Sequence, residues 1–290
     1  MLQLGYLKKL FKPHILRRIF NERITEPIHL NLISLFVLIF GTYRLKIKFD
    51  LILRQNHAFS LLEATQTAVN RNIKKITIIE LGVSTGGGLM NICKICAELS
   101  KRYPIEFQIF GFDTGKGMPP PNDFKDHPEL YHEGDFRMNR ELLEKKLPHN
   151  CNLIIGEVEE SIPKFLSEQN LENAPIGFIS YDLDYYSSTK HAMELLKGPQ
   201  HFYLPKFPVY FDDIALWSHN SFCGELLAIK EFNEENEFRK IEPDRFLRLR
   251  RAFQKAEWIE HIFFVHILDS HERNLISVLE KAAVLENPYL

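Results

Sequence analysis

The sequence predicts an open, doubly wound α/β sheet, mostly parallel, with helices on both faces and a helical segment at the N-terminus. Three observations predict it. Short apolar, β-branched runs alternate with segments of helical period, the pattern of strand–helix–strand units. Acidic residues and glycines fall just past the ends of those runs, where such sheets carry their ligands. The 290 residues, 45% hydrophobic and 26% charged, suit one large soluble domain with an appendage. Disorder and collagen-like repeats are excluded. The net charge of −2 argues against general electrostatic binding of nucleic acid. Four cysteines make no disulfide scaffold and suit a reducing compartment.

The first 24 residues carry Lys8, Lys9, Lys12, Arg17, Arg18 and Arg23 against Glu22. Their apolar residues recur at helical spacing, so this basic amphipathic segment either packs one face on the domain or lies on an anionic membrane surface. Residues 28–43 hold no Lys, Arg, Asp or Glu, but the run is too short to span a bilayer and has no signal-peptide cleavage site. It reads as a buried helix. Residues 1–56 are thus predicted as a helical arm on a domain of residues 57–290. The protein is expected to be cytoplasmic, with peripheral membrane contact through the basic N-terminus.

A helix is predicted over His57–Val69. Lys75–Leu81 is a run rich in β-branched residues, as in a strand buried on both faces. A helix follows over Leu89–Leu99, then a strand over Phe107–Asp113 and a Pro/Gly-rich loop. Arg140–Lys146 reads as helix and Asn152–Gly156 as strand. Ser161 begins a helix with Pro163 in its first turn. Strands are expected at Ile176–Asp182 and Phe207–Asp212, with helices over Ser188–Leu196 and Gly224–Phe232. Trp258–Leu268 reads as a late strand or two. The run Arg245, Arg248, Arg250 and Arg251 reads as a solvated face. Cys93 and Cys96 have redox-motif spacing, but their helical setting suits small core residues.

Only 14 residues are glycine, yet Gly82, Gly86, Gly87 and Gly88 fall within seven positions. Backbone must come close to something there: a ligand, or a neighbouring element in a tight strand–helix turn. The spacing is not that of a Walker-type phosphate loop. Asp113, at the end of the second strand, can accept hydrogen bonds from both ribose hydroxyls of a nucleoside. Glu157 sits at the same rim, either near a ligand or as a carboxylate facing a helix dipole. The fourth and fifth strands end in Asp182, Asp184, Asp212 and Asp213. If those strands are neighbours, the carboxylates crowd together, and a shared divalent cation is the simplest resolution. Helix capping would account for Asp184 or Asp213 singly, not for the set.

These ordered motifs resemble a family. Glu80-Leu-Gly82-Val-Ser-Thr-Gly86-Gly-Gly and Gly111-Phe-Asp113 look like the first two motifs of class I S-adenosylmethionine-dependent methyltransferases. Asp182-Leu-Asp184-Tyr-Tyr-Ser-Ser-Thr with Phe211-Asp212-Asp213 resembles the macrocin-type, metal-dependent sugar O-methyltransferases and their uncharacterised relatives. The resemblance covers residues 57–235 and implies a Rossmann-like methyltransferase fold. It implies that Glu80, Gly82 and Gly86 line the S-adenosylmethionine, that Asp113 holds its ribose and that Glu157 lies near its adenine. It implies that Asp182, Asp212 and Asp213 hold Mg²⁺, with Asp182 thereby also catalytic. The acceptor-recognition parts of the sugar enzymes are not recognisable in residues 1–56 or 115–140. The expected activity is therefore methylation of a hydroxyl on a small-molecule acceptor, sugar-containing or not.

No motif fixes the general base; Asp184 and His219 are the candidates. The loop from Thr114 to Asp135 reads either as a lid, with Tyr131, His132 and Asp135 facing the acceptor, or as an ordered surface excursion. Two other readings stay open: a nucleotide-dependent oxidoreductase, disfavoured by the acidic set, and a non-catalytic binding protein on the same fold.

Overall fold

The computed structural model describes residues 20–215 and 217–274. Seven strands form one sheet in the order β3-β2-β1-β4-β5-β7-β6. They are β1 (Lys75–Leu81), β2 (Glu106–Asp113), β3 (Cys151–Ile155), β4 (Ile176–Tyr181), β5 (Lys206–Phe211), β6 (Arg239–Pro243) and β7 (Ile262–Ile267). The first five pair in parallel. Strand β7 runs antiparallel to both β5 and β6. Central β4 is buried at every position, as its unbroken run Ile-Gly-Phe-Ile-Ser-Tyr requires. Strand order reverses between β1 and β4, which fixes the crevice above their C-terminal ends as the natural ligand position.

Register shows how both faces are covered. Ile109, Ile78 and Phe178 are aligned across β2, β1 and β4 and so share one face. There Phe178 meets His57 of helix α3 (Gln55–Asn70), ring centroids 6.0 Å apart. Phe110 and Phe112 point to the opposite face, against Phe165 of helix α6 (Val158–Glu168) at 4.9 and 5.3 Å. The core is therefore two apolar layers with the sheet between them. Helix α4 (Gly87–Ser100) buries Cys93 and Cys96 as free thiols. Two short helices, α5 (Arg140–Glu144) and α7 (Tyr186–Ala192), and the longer α8 (Gly224–Glu235) complete the alternation.

Several expectations are corrected. Helix α6 starts at Val158, so Pro163 lies in its second turn rather than its first. Residues Glu257–His261 form a 3₁₀ turn; only Ile262–Ile267 is strand. Trp258 and Ile259 are buried, but in a turn that packs against helix α3, where Trp258 meets Phe59 at 5.7 Å. Strand β6 is an edge, polar and ending in Pro243, which hid it from a search for apolar runs.

The expected basic helix over the first 24 residues lies outside the described residues up to position 19; Phe20–Ile24 is a π-helical turn. Helix α1 (Ile28–Phe40) forms, but it is not buried. Only Ser34 and Val37 are covered, while Ile28 is 76% and Phe40 70% exposed. Lack of charge marks a segment that avoids water; it does not say that this domain supplies the cover. After helix α2 (Tyr43–Lys48), capped by Thr42, the arm is clamped to the domain. Arg251, at the end of helix α9 (Leu247–Arg250), is buried against buried Asp50 and donates to the Ile47 carbonyl. It is thus not part of a solvated basic face. Arg23 donates to the carbonyls of Phe49 and Asp50, and Glu26 accepts from the backbone of Gln254 and Lys255.

Candidate active site

The ladder continues one residue past the strands and builds a rim. Gly82 donates its backbone N–H to Phe112, Asp182 to Leu81, Asp212 to Tyr181, and Gly156 to Asp113. Each motif is thereby pinned beside the next, and β4 and β5 are neighbours as the acidic cluster required. Above this rim lies a cavity of about 440 Å³. Glu80, Gly82, Asp113, Glu157, Asp182, Asp184, Asp212 and Asp213 all line it. Gly86 and His219 are not among its lining residues. Gly86 turns the chain at φ +81° against Leu143, and His219 lies beside His127, ring centroids 5.4 Å apart.

The glycines answer the question of what the backbone approaches. At Gly82 (φ +81°) a Cβ would sit 1.7 Å from the Asp182 carbonyl oxygen. At Gly88 it would sit 1.9 Å from Glu80 Oε1. Both are demanded by the protein's own packing, whatever ligand the loop holds. Gly87 is different: its nearest neighbour is the Arg54 guanidinium, at ordinary contact distance, so this part of the loop is open. Asp113 organises the loop by accepting from the N–H groups of Val83 and Ser84 on Oδ2 and of Gly115 on Oδ1. A carboxylate offers about four acceptor positions, so about one remains for a ligand hydroxyl rather than two. Glu157 is the N-cap residue of α6 but makes no side-chain cap bond, leaving its exposed carboxylate free to face the cavity.

The acidic end of the cavity is crowded. One oxygen each from Asp182, Asp212 and Asp213 lies within 4.8 Å of the others. Asp213 Oδ2 is buried without a hydrogen-bond partner. Burial, and then the neighbouring carboxylates, push Asp182 and Asp213 well above the usual carboxylate range. Burial likewise lifts Asp184 to about 6. Asp184 also takes φ +60°, an uncommon conformation that Asp tolerates better than most residues. One orphaned oxygen, mutually repelling carboxylates and an all-oxygen donor set fit a hard divalent cation such as Mg²⁺, although Tyr210 already donates to Asp212 Oδ1.

Three further residues shape the site. Arg54, in left-handed conformation at the start of α3, lines the cavity and is its cation. A lone arginine ahead of a helix gave no sequence signal. Glu225, fully buried in α8, accepts from the Asp213 N–H at 3.0 Å and fixes the turn that presents Asp213. Nothing in the sequence singled it out. Tyr131 donates to Asp213 Oδ1 at 2.8 Å, so the loop carrying it is part of the site. That loop is anchored a second time: Asp126, fully buried, accepts from Ser187 N and Oγ, both at 2.8 Å. It is a fixed wall, to which Met118 and Pro119 also contribute. His132 and Asp135 are not among the lining residues.

No protein-family model and no curated protein matches the sequence. Among solved structures, the O-methyltransferase NovP superposes with a TM-score of 0.50 at 12% identity, over 73% of this chain and 79% of that one. The calicheamicin methyltransferase CalS11 gives 0.49 at 20% identity, over 77% and 85%. The plantazolicin methyltransferase BpumL, in complex with SAH, covers 90% of this chain and 98% of its own at 13% identity and a TM-score of 0.36. The likeness to NovP establishes the fold: a Rossmann-like methyltransferase sheet with helices around it.

Proposed function

We propose that this chain is an S-adenosylmethionine-dependent methyltransferase acting on a hydroxyl of a small-molecule acceptor, with a divalent cation at Asp182, Asp212 and Asp213. One observation carries this reading. A glycine loop, an acid at the end of β2 and a cluster of cation-competent carboxylates open on one cavity at the strand-order switch. The likeness of the fold to the O-methyltransferase NovP supports it.

In this reading the cofactor supplies a methyl group on a sulfonium, a cation suited to an acidic rim. Asp113 accepts one ribose hydroxyl with its remaining acceptor position, and Glu157 lies toward the adenine. Arg54 faces the cofactor's carboxylate. Asp182, Asp212 and Asp213 would hold a divalent cation, whose chemistry would be to acidify and orient the acceptor hydroxyl. Tyr131 and Glu225 orient Asp213. Asp184, which lines the cavity, would accept the proton of an acceptor hydroxyl that receives the cofactor's methyl group. The protein contributes mainly alignment of donor and acceptor. Of the two candidate bases, Asp184 is favoured over His219 because only Asp184 lines the cavity.

Titration calorimetry tests the reading without knowledge of the acceptor. S-adenosylmethionine and its demethylated product should bind one site, and NAD should not. Asp212→Asn should lose Mn²⁺ binding while keeping the cofactor. Heat with NAD alone, or none with either ligand, overturns the proposal.

A further inference from the structure

Helix α1 is the largest feature that the site leaves unexplained. Its sequence, Ile-His-Leu-Asn-Leu-Ile-Ser-Leu-Phe-Val-Leu-Ile-Phe, is apolar around most of its circumference. A helix of that kind is ordinarily buried in a core or in lipid. Leu30, Ser34 and Val37 turn toward the domain, while Ile28, Leu32, Leu35, Phe36 and Ile39 are exposed. Thirteen residues rise about 20 Å, too short to cross a bilayer, which takes about 20 residues. No helix among the described residues is long and apolar enough to do so.

Charge says what kind of surface would cover it. Residues 1–54 contain ten Lys or Arg and three Asp or Glu, whereas the whole chain carries −2; of the ten, Arg23 turns inward to the Phe49 and Asp50 carbonyls and Arg54 lines the cavity above the sheet, which leaves eight. The three acids face the protein. Asp50 is buried against Arg251, Glu26 accepts from two backbone N–H groups, and Glu22 accepts from the N–H of Glu257. Arg44 and Lys48 of α2 are exposed. A second cavity, of about 510 Å³, opens where α1 ends, lined by Gly41, Tyr43, Arg44, Lys46, Arg102 and Tyr103. Arg102 is held there by Glu98 at 2.6 Å and lies over the Tyr43 ring at 4.7 Å. A second copy of the chain would bring one basic segment against another. An anionic surface would not.

We propose that α1 lies in the interfacial layer of an anionic phospholipid membrane, and that the basic cavity at its C-terminal end receives a headgroup phosphate. The apolar face enters the acyl boundary while Arg44, Lys46 and Lys48 stay at headgroup level, as in monotopic helices. The attachment is peripheral. It does not depend on the chemistry of the cavity above the sheet.

Flotation of the full chain with vesicles tests this. Vesicles of phosphatidylcholine with roughly a third phosphatidylglycerol should carry the protein, and pure phosphatidylcholine should not. High salt should weaken the association. Leu32→Asp with Phe36→Asp and Ile39→Asp should abolish flotation with an unchanged melting temperature, since all three side chains are exposed. Arg44→Glu with Lys48→Glu should reduce it about 25-fold or more, each basic residue near an anionic surface being worth about fivefold. That second pair keeps the test decisive if the triple variant misfolds. Absence of flotation, or flotation that neither variant weakens, overturns the proposal. So does a dimer in sedimentation that the triple variant converts to monomer without any vesicle binding; the surface would then belong to a second copy. S-adenosylmethionine binding, measured on the same variants, should be unaffected.

Discussion

Glu80 shows how much one buried carboxyl governs. It is 2% exposed, and burial pushes it up to about 8 from its ordinary 4.5, against the pull of Arg54. The unfolded chain therefore releases this proton near pH 4.5, while the folded protein keeps it until about pH 8. The stabilisation is complete below the unfolded value and is lost as pH rises through the folded one. Ligand-free protein should lose stability steadily from mildly acidic pH up to about 8. Glu80→Gln keeps the shape and removes the proton, so it should flatten the upper part of that slope. At pH 8 it should be more stable than the parent by on the order of 2 kcal/mol. Urea unfolding across that range checks this; an equally steep fall in the variant would sink it.

At the scale of elements, the loop between β2 and α5 joins the strand ends to the acidic cluster. Its two ties, Asp126 to Ser187 and Tyr131 to Asp213, cross from the loop to α7 and to the turn after β5. Asp126→Asn should lose a charge-assisted bond and about 1–3 kcal/mol. Limited proteolysis should then cut between Pro121 and His132 before any other described loop. Unchanged resistance would show that the loop is held by other contacts. This loop was legible in the sequence only as a lid or an excursion, because its ties join residues 61 and 82 positions apart. The strands were easier. Lys75–Leu81 and Ile176–Tyr181 are buried on both faces, and nothing else explains such runs. Strand β6 was invisible because an edge strand needs little apolar surface. At the rim, aspartates just past two strands were readable as a cluster once the strands were taken as neighbours. Glu225 and Arg54 were not, since they enter from helices that carry no motif.

On the scale of the whole molecule, a buried ion pair ties the described segment ahead of α3 to the chain beyond β6. Asp50 and Arg251 are 201 positions apart and both almost fully covered. Such a pair adds little net stability, yet removing one member leaves a buried charge. Arg251→Ala should therefore cost about 3–5 kcal/mol, and Arg251→Met with Asp50→Asn less, since Asn neutralises the partner and tolerates the left-handed backbone at position 50 (φ +55°). Calorimetric melting of the two variants separates these outcomes; equal losses would mean that Arg251 acts through packing on Trp258.

The contact between Gly82 and the Asp182 carbonyl has a bearing on how descendants of this sequence would drift. That position admits no side chain for reasons of architecture alone. A lineage that abandoned catalysis, yet still folded, would be held to glycine there by the same pressure as an active one. The rim carboxylates are under no such obligation: without the proposed cation they repel one another, and their loss would relieve the fold. An inactive descendant should thus be recognised by neutral residues at positions 182, 212 and 213 beneath an intact glycine loop.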